Sequence, residues 1–167
     1  MTIDAVPQRF DCLRAVRQAD EPFLFDVFCT AWEQEVAAMP DARLVRHFLR
    51  IQYTAQETRF RRRFPGHERY VITHKGEDAG RAYLHRTASM LHAVDMILLP
   101  RFRSLGIGSR LVRDLFAQAR DAGQQVSIRV PRRNERASRL YAGLGFRLVA
   151  MDDLDRYYEW DPETLSG

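Results

Sequence analysis

Between Leu91 and Gly123 the chain passes from an apolar block, through a glycine turn, into an amphipathic helical pattern, and this segment constrains the fold more than any other. Val94, Met96, Ile97, Leu98 and Leu99 form a short apolar run stopped by Pro100, the make-up of a buried strand. Leu111, Val112, Leu115, Phe116 and Ala119 then recur at helical spacing, predicting a helix from Ser109 to Ala122 that Gly123 terminates. Joining the two is Arg103-Ser104-Leu105-Gly106-Ile107-Gly108-Ser109. Glycines at 106 and 108 let backbone N–H groups turn toward one concavity, and the helix adds its unpaired amides and the positive end of its dipole. Such a strand, loop and helix suit an anion, above all a pyrophosphate.

The spacing selects among phosphate-binding loops. No Gly-Lys-Ser/Thr follows the glycines, which argues against a P-loop nucleoside triphosphatase. A dinucleotide loop needs a third glycine where Leu111 stands. What remains is R-x-x-G-x-G at Arg103, Gly106 and Gly108. Downstream, Asn134, Ala137, Leu140, Tyr141, Gly145 and Phe146 read N-x-x-A-x-x-L-Y-x-x-x-G-F, with room between the motifs for one helix and one strand, Val126 to Val130. Together, in this order, the two motifs resemble the GNAT superfamily of acyl-CoA N-acyltransferases, over roughly Val71 to Trp160.

Other elements follow from pattern alone. Phe10 to Val16 alternates as a first strand. Asp20 reads as the N-cap of a helix with Leu24, Phe25, Phe28, Ala31 and Trp32 on its apolar face, and Asp41 as the cap of a second through Leu44, Val45, Phe48, Ile51 and Ala55 that fades near Arg63, before Pro65-Gly66. Tyr70 to Thr73 and Gly80 to Arg86 form two strands around a Lys75-Gly76-Glu77-Asp78 turn. Phe146 to Met151 and Arg156 to Trp160 form a terminal hairpin around Asp152-Asp153-Leu154-Asp155. The resulting order is β, α, α, β, β, β, α, β, α, β, β. The resemblance implies an α/β (α+β) fold of the GNAT type, a mixed, mostly antiparallel twisted sheet of about six or seven strands flanked by about four helices.

The 167 residues, 46% of them apolar, suit a single domain spanning residues 1–167, without repeats or linkers. No stretch is long enough to cross a membrane, and the start of the chain, with Asp4 and no long apolar segment, does not read as a secretory signal; a cytoplasmic protein is expected. Cys12 and Cys29 have no redox or metal spacing and read as buried thiols, and the five histidines form no ligand motif, so no metal is expected. The formal charge is +4, and Lys75 is the only lysine. The densest basic run, Arg59-Phe60-Arg61-Arg62-Arg63-Phe64, falls at a helix carboxyl end, where cations oppose the dipole; with no recognition motif beside it, it reads as a solvated helix end and no nucleic-acid partner is expected.

The resemblance implies acetyl-CoA as cosubstrate and a residue-by-residue set of roles. Main-chain groups of Met96, Ile97 and Leu98 would pair with the pantetheine arm. The pyrophosphate would meet the backbone of Ser104, Leu105, Gly106, Ile107, Gly108 and Ser109, with Arg103 opening the loop. Asn134 would orient the pantetheine and Ala137 keep the helix close; Asn134 is equally suited to a helix N-cap. Tyr141 would serve as general acid toward the departing thiolate, whose conjugate acid has a pKa of roughly 8.5; the other reading is a packed core aromatic. A base is needed because an amine of pKa about 10.4 is protonated at neutral pH. His92, with an ordinary pKa near 6.5, stands where some relatives carry Glu; Asp95, Glu33 and Glu35 are rivals, as is a water chain. Arg129 occupies the strand position where some protein-acetylating relatives carry Glu, which argues against a ribosomal-protein acetyltransferase. Trp32, Glu33, Glu35, Gln52, Tyr53, Tyr157 and Tyr158 lie where relatives hold the acceptor, and would suit a cationic amine. The expected enzyme is an N-acetyltransferase acting directly on a primary amine of a small molecule or peptide through a ternary complex. The alternative is a non-catalytic acyl-CoA-binding or protein-interaction module. Tyr157, Tyr158 and Trp160 read either as half of a homodimer interface or as ordinary strand aromatics.

Overall fold

The computed structural model describes residues 10–165, which form seven strands, five α-helices and three short 3-10 turns. In chain order these are β1 (Leu13–Ala15), α1 (Glu21–Thr30), α2 (Glu33–Val36), α3 (Ala42–Arg63), β2 (Glu68–His74), β3 (Glu77–Arg86), β4 (Met90–Leu98), α4 (Ile107–Asp121), β5 (Gln125–Pro131), α5 (Glu135–Gly143), β6 (Arg147–Met151) and β7 (Asp155–Trp160). One sheet holds all seven strands in the order β1-β2-β3-β4-β5-β7-β6, with every neighbouring pair antiparallel except β4 and β5. The element order matches the sequence expectation, apart from the four-residue α2, too short to leave a periodic signature. The segment around Asp4 lies outside the described residues.

Local chemistry explains the departures at the ends of elements. The first strand is shorter than Phe10 to Val16 because a turn, in which the Leu13 N–H donates to the Phe10 carbonyl at 3.2 Å, occupies its beginning. Asp20 stands at the N-cap of α1 but makes no cap bond, since its carboxylate accepts from the Arg14 guanidinium at 2.8 and 2.9 Å and from the Arg17 N–H at 2.7 Å. Asp41 does cap α3, accepting from the Arg43 and Leu44 N–H groups. The β2–β3 turn is tighter than predicted: Lys75 and Gly76 alone span it, both at positive φ, as a two-residue hairpin turn demands.

Alternation along the strands divides the core between two faces. Ala82, Leu84, Leu91, Ala93, Val126, Ile128 and Val130 meet Leu111, Val112, Leu115, Phe116 and Ala119 of α4 and Tyr141 of α5. Burying a leucine or phenylalanine side chain in this way stabilises the fold by about 1.5–3 kcal/mol. Tyr158 and Trp160 belong to this core, so they are ordinary strand aromatics, held between β5 and β6. Phe60 of α3 packs on Tyr83 and Val94 on the other face, while Phe25, Phe28, Leu49 and Tyr53 join α1 to α3.

Two features of β4 shape the functional region. Opposite it, Tyr83 pairs with Asp95 and Leu84 with Ala93, leaving Val94 as the extra residue of a bulge. A bulge bends its strand and increases its twist. Accordingly β4 pairs with β5 only from Met90 to Ala93; beyond that point β4 stays with β3 while β5 continues beside β7. The free stretch of β4 is tied down by Arg81 of β3, whose side chain is 0% exposed and donates to the Asp95 carboxylate at 2.7 and 2.8 Å and to Gln56 of α3 at 2.6 Å, with Glu57 at 3.5 Å. Gly80 completes the arrangement, since a Cβ there would lie 2.1 Å from the carbonyl oxygen of Ile97.

Two substitutions test these ties. Gly80→Ala must push β3 from the end of β4 and is expected to lower unfolding free energy by about 2 kcal/mol. Arg81→Leu leaves Asp95 without its buried partner and Glu57 with Arg69 alone, and is expected to lower it by about 3 kcal/mol. Urea denaturation monitored by circular dichroism measures both.

Candidate active site

The fork between β4 and β5 is a slot edged by unpaired strand backbone. Met96, Ile97 and Leu98 lie on its β4 side, paired through the other edge to Ala82, Arg81 and Gly80. Their main chain therefore offers hydrogen-bonding groups to an extended, amide-bearing guest, while Met96 and Leu98 pack their side chains against the core.

The loop after β4 ends at the amino terminus of α4. Gly106, at φ 79°, occupies the N-cap, a left-handed conformation that glycine adopts without strain. The helix starts at Ile107, two residues earlier than its apolar pattern suggests, because the Arg110 N–H already bonds to the Gly106 carbonyl at 3.0 Å. No side chain caps α4, so its first amides are left to a ligand or to water. Gly108 has helical φ, and a Cβ built on it meets nothing nearer than Leu98 Cδ1 at 3.9 Å; openness rather than backbone freedom is what glycine supplies there. The second left-handed residue of the loop is Ser104, at φ 63°. An uncapped helix start beside an open glycine fits a pyrophosphate.

Arg103 lies beneath the loop as a strut. Its Nε donates to the Leu98 carbonyl at 2.9 Å and its guanidinium reaches Thr30 Oγ1 at 3.4 Å, joining the end of β4 to α1. Arg136 of α5 is the arginine that touches the loop from outside, donating to Ser104 Oγ. Asn134 is the N-cap of α5, with its side-chain oxygen accepting from the Ala137 N–H at 3.1 Å, and Ala137 packs on the core.

Tyr141 projects from α5 with its ring buried edge-on against Phe146, 5.7 Å between centroids. Its hydroxyl has no hydrogen-bond partner among the described residues. Burial, together with the negative charge of Asp95, pushes its pKa up to about 12, which keeps the phenol protonated at neutral pH. His92 lies on β4 opposite Ser127, one position before the last β4–β5 pair, on the face covered by α3. One of its ring nitrogens, Nδ1, bonds to Ser127 Oγ, and its ring stacks on His85 at 5.9 Å and meets Phe64 at a tilt, 5.3 Å between centroids. Burial, His85 and Arg63 lower its pKa below the usual imidazole value, favouring the neutral base.

A cavity of about 350 Å³ opens beside His92, walled by Phe60 and Phe64 of α3, Ile128 and Arg129 of β5, and Tyr157 and Glu159 of β7. Of the residues expected at the acceptor, only Tyr157 and Tyr158 line it. Tyr53 is buried between Phe25 and Phe28, Trp32 packs on Phe48, and Glu35 is held by Arg133 at 2.7 Å. Arg129 pairs with Asp155 at 3.2 Å. Among the described residues no group of three or more His, Cys, Asp or Glu is placed to hold a metal, and no helix is long and apolar enough to cross a membrane. Cys12 and Cys29 are free thiols whose pKa values burial raises.

The basic run at the end of α3 carried no sign of the cavity. Arg59 and Arg63, four residues apart, share one helix face and line it. Arg81 was likewise inconspicuous, because nothing local to a strand arginine reports an acid just past a bulge in the next strand.

A family model described as FR47-like protein matches residues 74–156. No curated protein matches the sequence. Among solved structures, the fold is similar to the PaiA N-acetyltransferase from Thermoplasma acidophilum in complex with coenzyme A, at 17% identity and TM-score 0.67, covering 89% of this chain and 97% of that one. It is similar also to an acetyltransferase from Thermus thermophilus, at 17% identity and TM-score 0.62, covering 89% and 95%. A third is YncA, a putative acetyltransferase from Salmonella typhimurium with its cofactor acetyl-CoA, at 20% identity and TM-score 0.55, covering 89% and 92%. The forked sheet, the uncapped glycine loop and the motif around Tyr141 lie in or beside the matched stretch and on a fold common to these acetyltransferases, and the chain belongs to the GNAT superfamily.

Proposed function

We propose that the protein is a cytoplasmic N-acetyltransferase that takes an acetyl group from acetyl-CoA and passes it directly to a primary amine within a ternary complex. The observation that carries this reading is the fork of β4 from β5, which leaves a free strand edge leading to the uncapped start of α4, with Tyr141 of α5 close enough for Asp95 of that edge to act on its pKa. Acetyl-CoA, when bound, supplies the activated acyl thioester. Coenzyme A and acetyl-CoA are bound in two of the similar structures.

In this reading the backbone of Met96, Ile97 and Leu98 pairs with the pantetheine arm, as a strand pairs with its neighbour. The amides from Ser104 to Ser109 receive the pyrophosphate, with Arg103 holding the loop to β4. Arg136, exposed on α5 and already at Ser104, adds a positive charge where phosphates come to lie. Tyr141, protonated because its pKa is about 12, donates its proton or a hydrogen bond to the sulfur as negative charge develops there. His92, neutral at physiological pH, takes the proton from the attacking amine, and Ser127 fixes its ring. No acyl-enzyme is required.

Removing the hydroxyl alone separates chemistry from binding. Tyr141→Phe is expected to lower kcat by about a hundredfold, while calorimetric affinity for acetyl-CoA stays within about threefold. Equal turnover would remove Tyr141 from the chemistry, and loss of acetyl-CoA binding in the wild type would turn the reading to a protein-interaction module. For His92 the sign of the pH effect follows from its lowered pKa. The neutral base is present above that pKa and lost as pH falls through it, so the His92 limb of kcat/KM falls on the acid side, below the ordinary imidazole range. His92→Gln removes that limb, which a stopped thiol-release assay from about pH 5 to 8 records.

A further inference from the structure

The cavity beside His92 carries the wrong charge for a simple ammonium acceptor. Arg59 and Arg63 enter from α3 and Arg129 from β5, whereas Glu159 is the carboxylate lining it. Arg129 is already engaged by Asp155. Arg59 and Arg63 have no carboxylate within ion-pair distance among the described residues. Arg63 lies instead over the rings of Phe64 and Tyr157, 5.5 and 6.0 Å from their centroids. Around these cations the walls are largely aromatic: Phe60, Phe64, Tyr157 and Tyr158, with His85 and His92. Arg59 and Arg63 are exposed at its rim, so their guanidinium groups stand between solvent and the aromatic wall without a neutralising carboxylate among the described residues. The acids expected to greet a cation are elsewhere, Glu35 with Arg133 among them. The volume, about 350 Å³, is at the small end for organic ligands.

We infer that the acceptor is a small amine that also bears an anionic group, a carboxylate or a phosphate, held by Arg63 and Arg59 so that its amine lies at His92 and the β4–β5 fork. The inference rests on the acetyltransferase reading, since it names the acceptor class of that site. Planar guanidinium groups pair with either anion through two parallel hydrogen bonds, which lysine could not do.

The test begins with the complete chain saturated with coenzyme A, so that the phosphate loop is filled. Isothermal titration then compares O-phosphoethanolamine, β-alanine and ethanolamine, the last offering the amine without an anion. The expected result is that at least one anionic amine binds about ten times more tightly than ethanolamine, and that Arg63→Gln removes most of that preference while affinity for coenzyme A and the circular dichroism spectrum are unchanged. The phosphate and carboxylate arms distinguish the two anions. Ethanolamine binding as tightly as both anionic amines, no binding of either anionic amine, or a preference that survives both Arg63→Gln and Arg59→Gln would overturn the inference with the acetyltransferase reading intact. Failure of coenzyme A itself to bind would overturn that reading first.

Discussion

The slot on which the proposed activity rests exists because β4 leaves β5 after Ala93. The bulge at Val94 starts the divergence, and a parallel pair that remained closed would satisfy its own backbone and offer nothing to a guest. A free strand edge inside a sheet is a liability unless something anchors it. Here the anchor is the bond of Arg81 to Asp95, backed by Gln56 and Glu57 from α3, with Gly80 allowing β3 to approach the end of β4 closely. The opening is thus anchored on its β4 side.

That anchor links stability to chemistry. Asp95 holds Arg81 on the α3 face of the sheet and also contributes to the raised pKa of Tyr141 on the opposite face. Burial of a charged pair stabilises less than apolar packing of equal volume, so its value lies in fixing where β4 goes once the ladder with β5 ends. Arg103 repeats the device at the far end of the strand, binding the Leu98 carbonyl and reaching α1. The arginine that opens the glycine motif is therefore a support for the loop, and the charge presented to its exterior comes from Arg136.

The two faces of the fork differ in character. Beside α4 and α5 it is apolar and bordered by open amides, suited to a long flexible cosubstrate. Beside α3 it is aromatic and basic, suited to a compact amine that carries an anionic group. His92 lies on the side of α3 and Tyr141 on the side of α4 and α5, a separation that follows from the period of a strand and from helices covering both faces.

Much of this was written in local sequence. The strand, glycine loop and helix around Gly106, the cap at Asp41, the Lys75-Gly76 hairpin and the motif ending in Gly145-Phe146 depend on neighbours within a few residues, and the elements formed close to where their patterns put them. Asp20 departed from its pattern because Arg14, across a turn, competed for its carboxylate. Relations between distant segments were set by assembly alone. The bulge that opens the fork is a matter of register between β3 and β4, and the Arg81 network joins three elements that no spacing connects. The Arg59 and Arg63 face becomes a cavity wall only when α3 is laid across β5 and β7. Backbone geometry and periodicity act over one or two turns of chain and can be read from residue order; the pairing of charges and the charge of a cavity depend on which surfaces meet, and that is settled only when the sheet is assembled and its faces are covered.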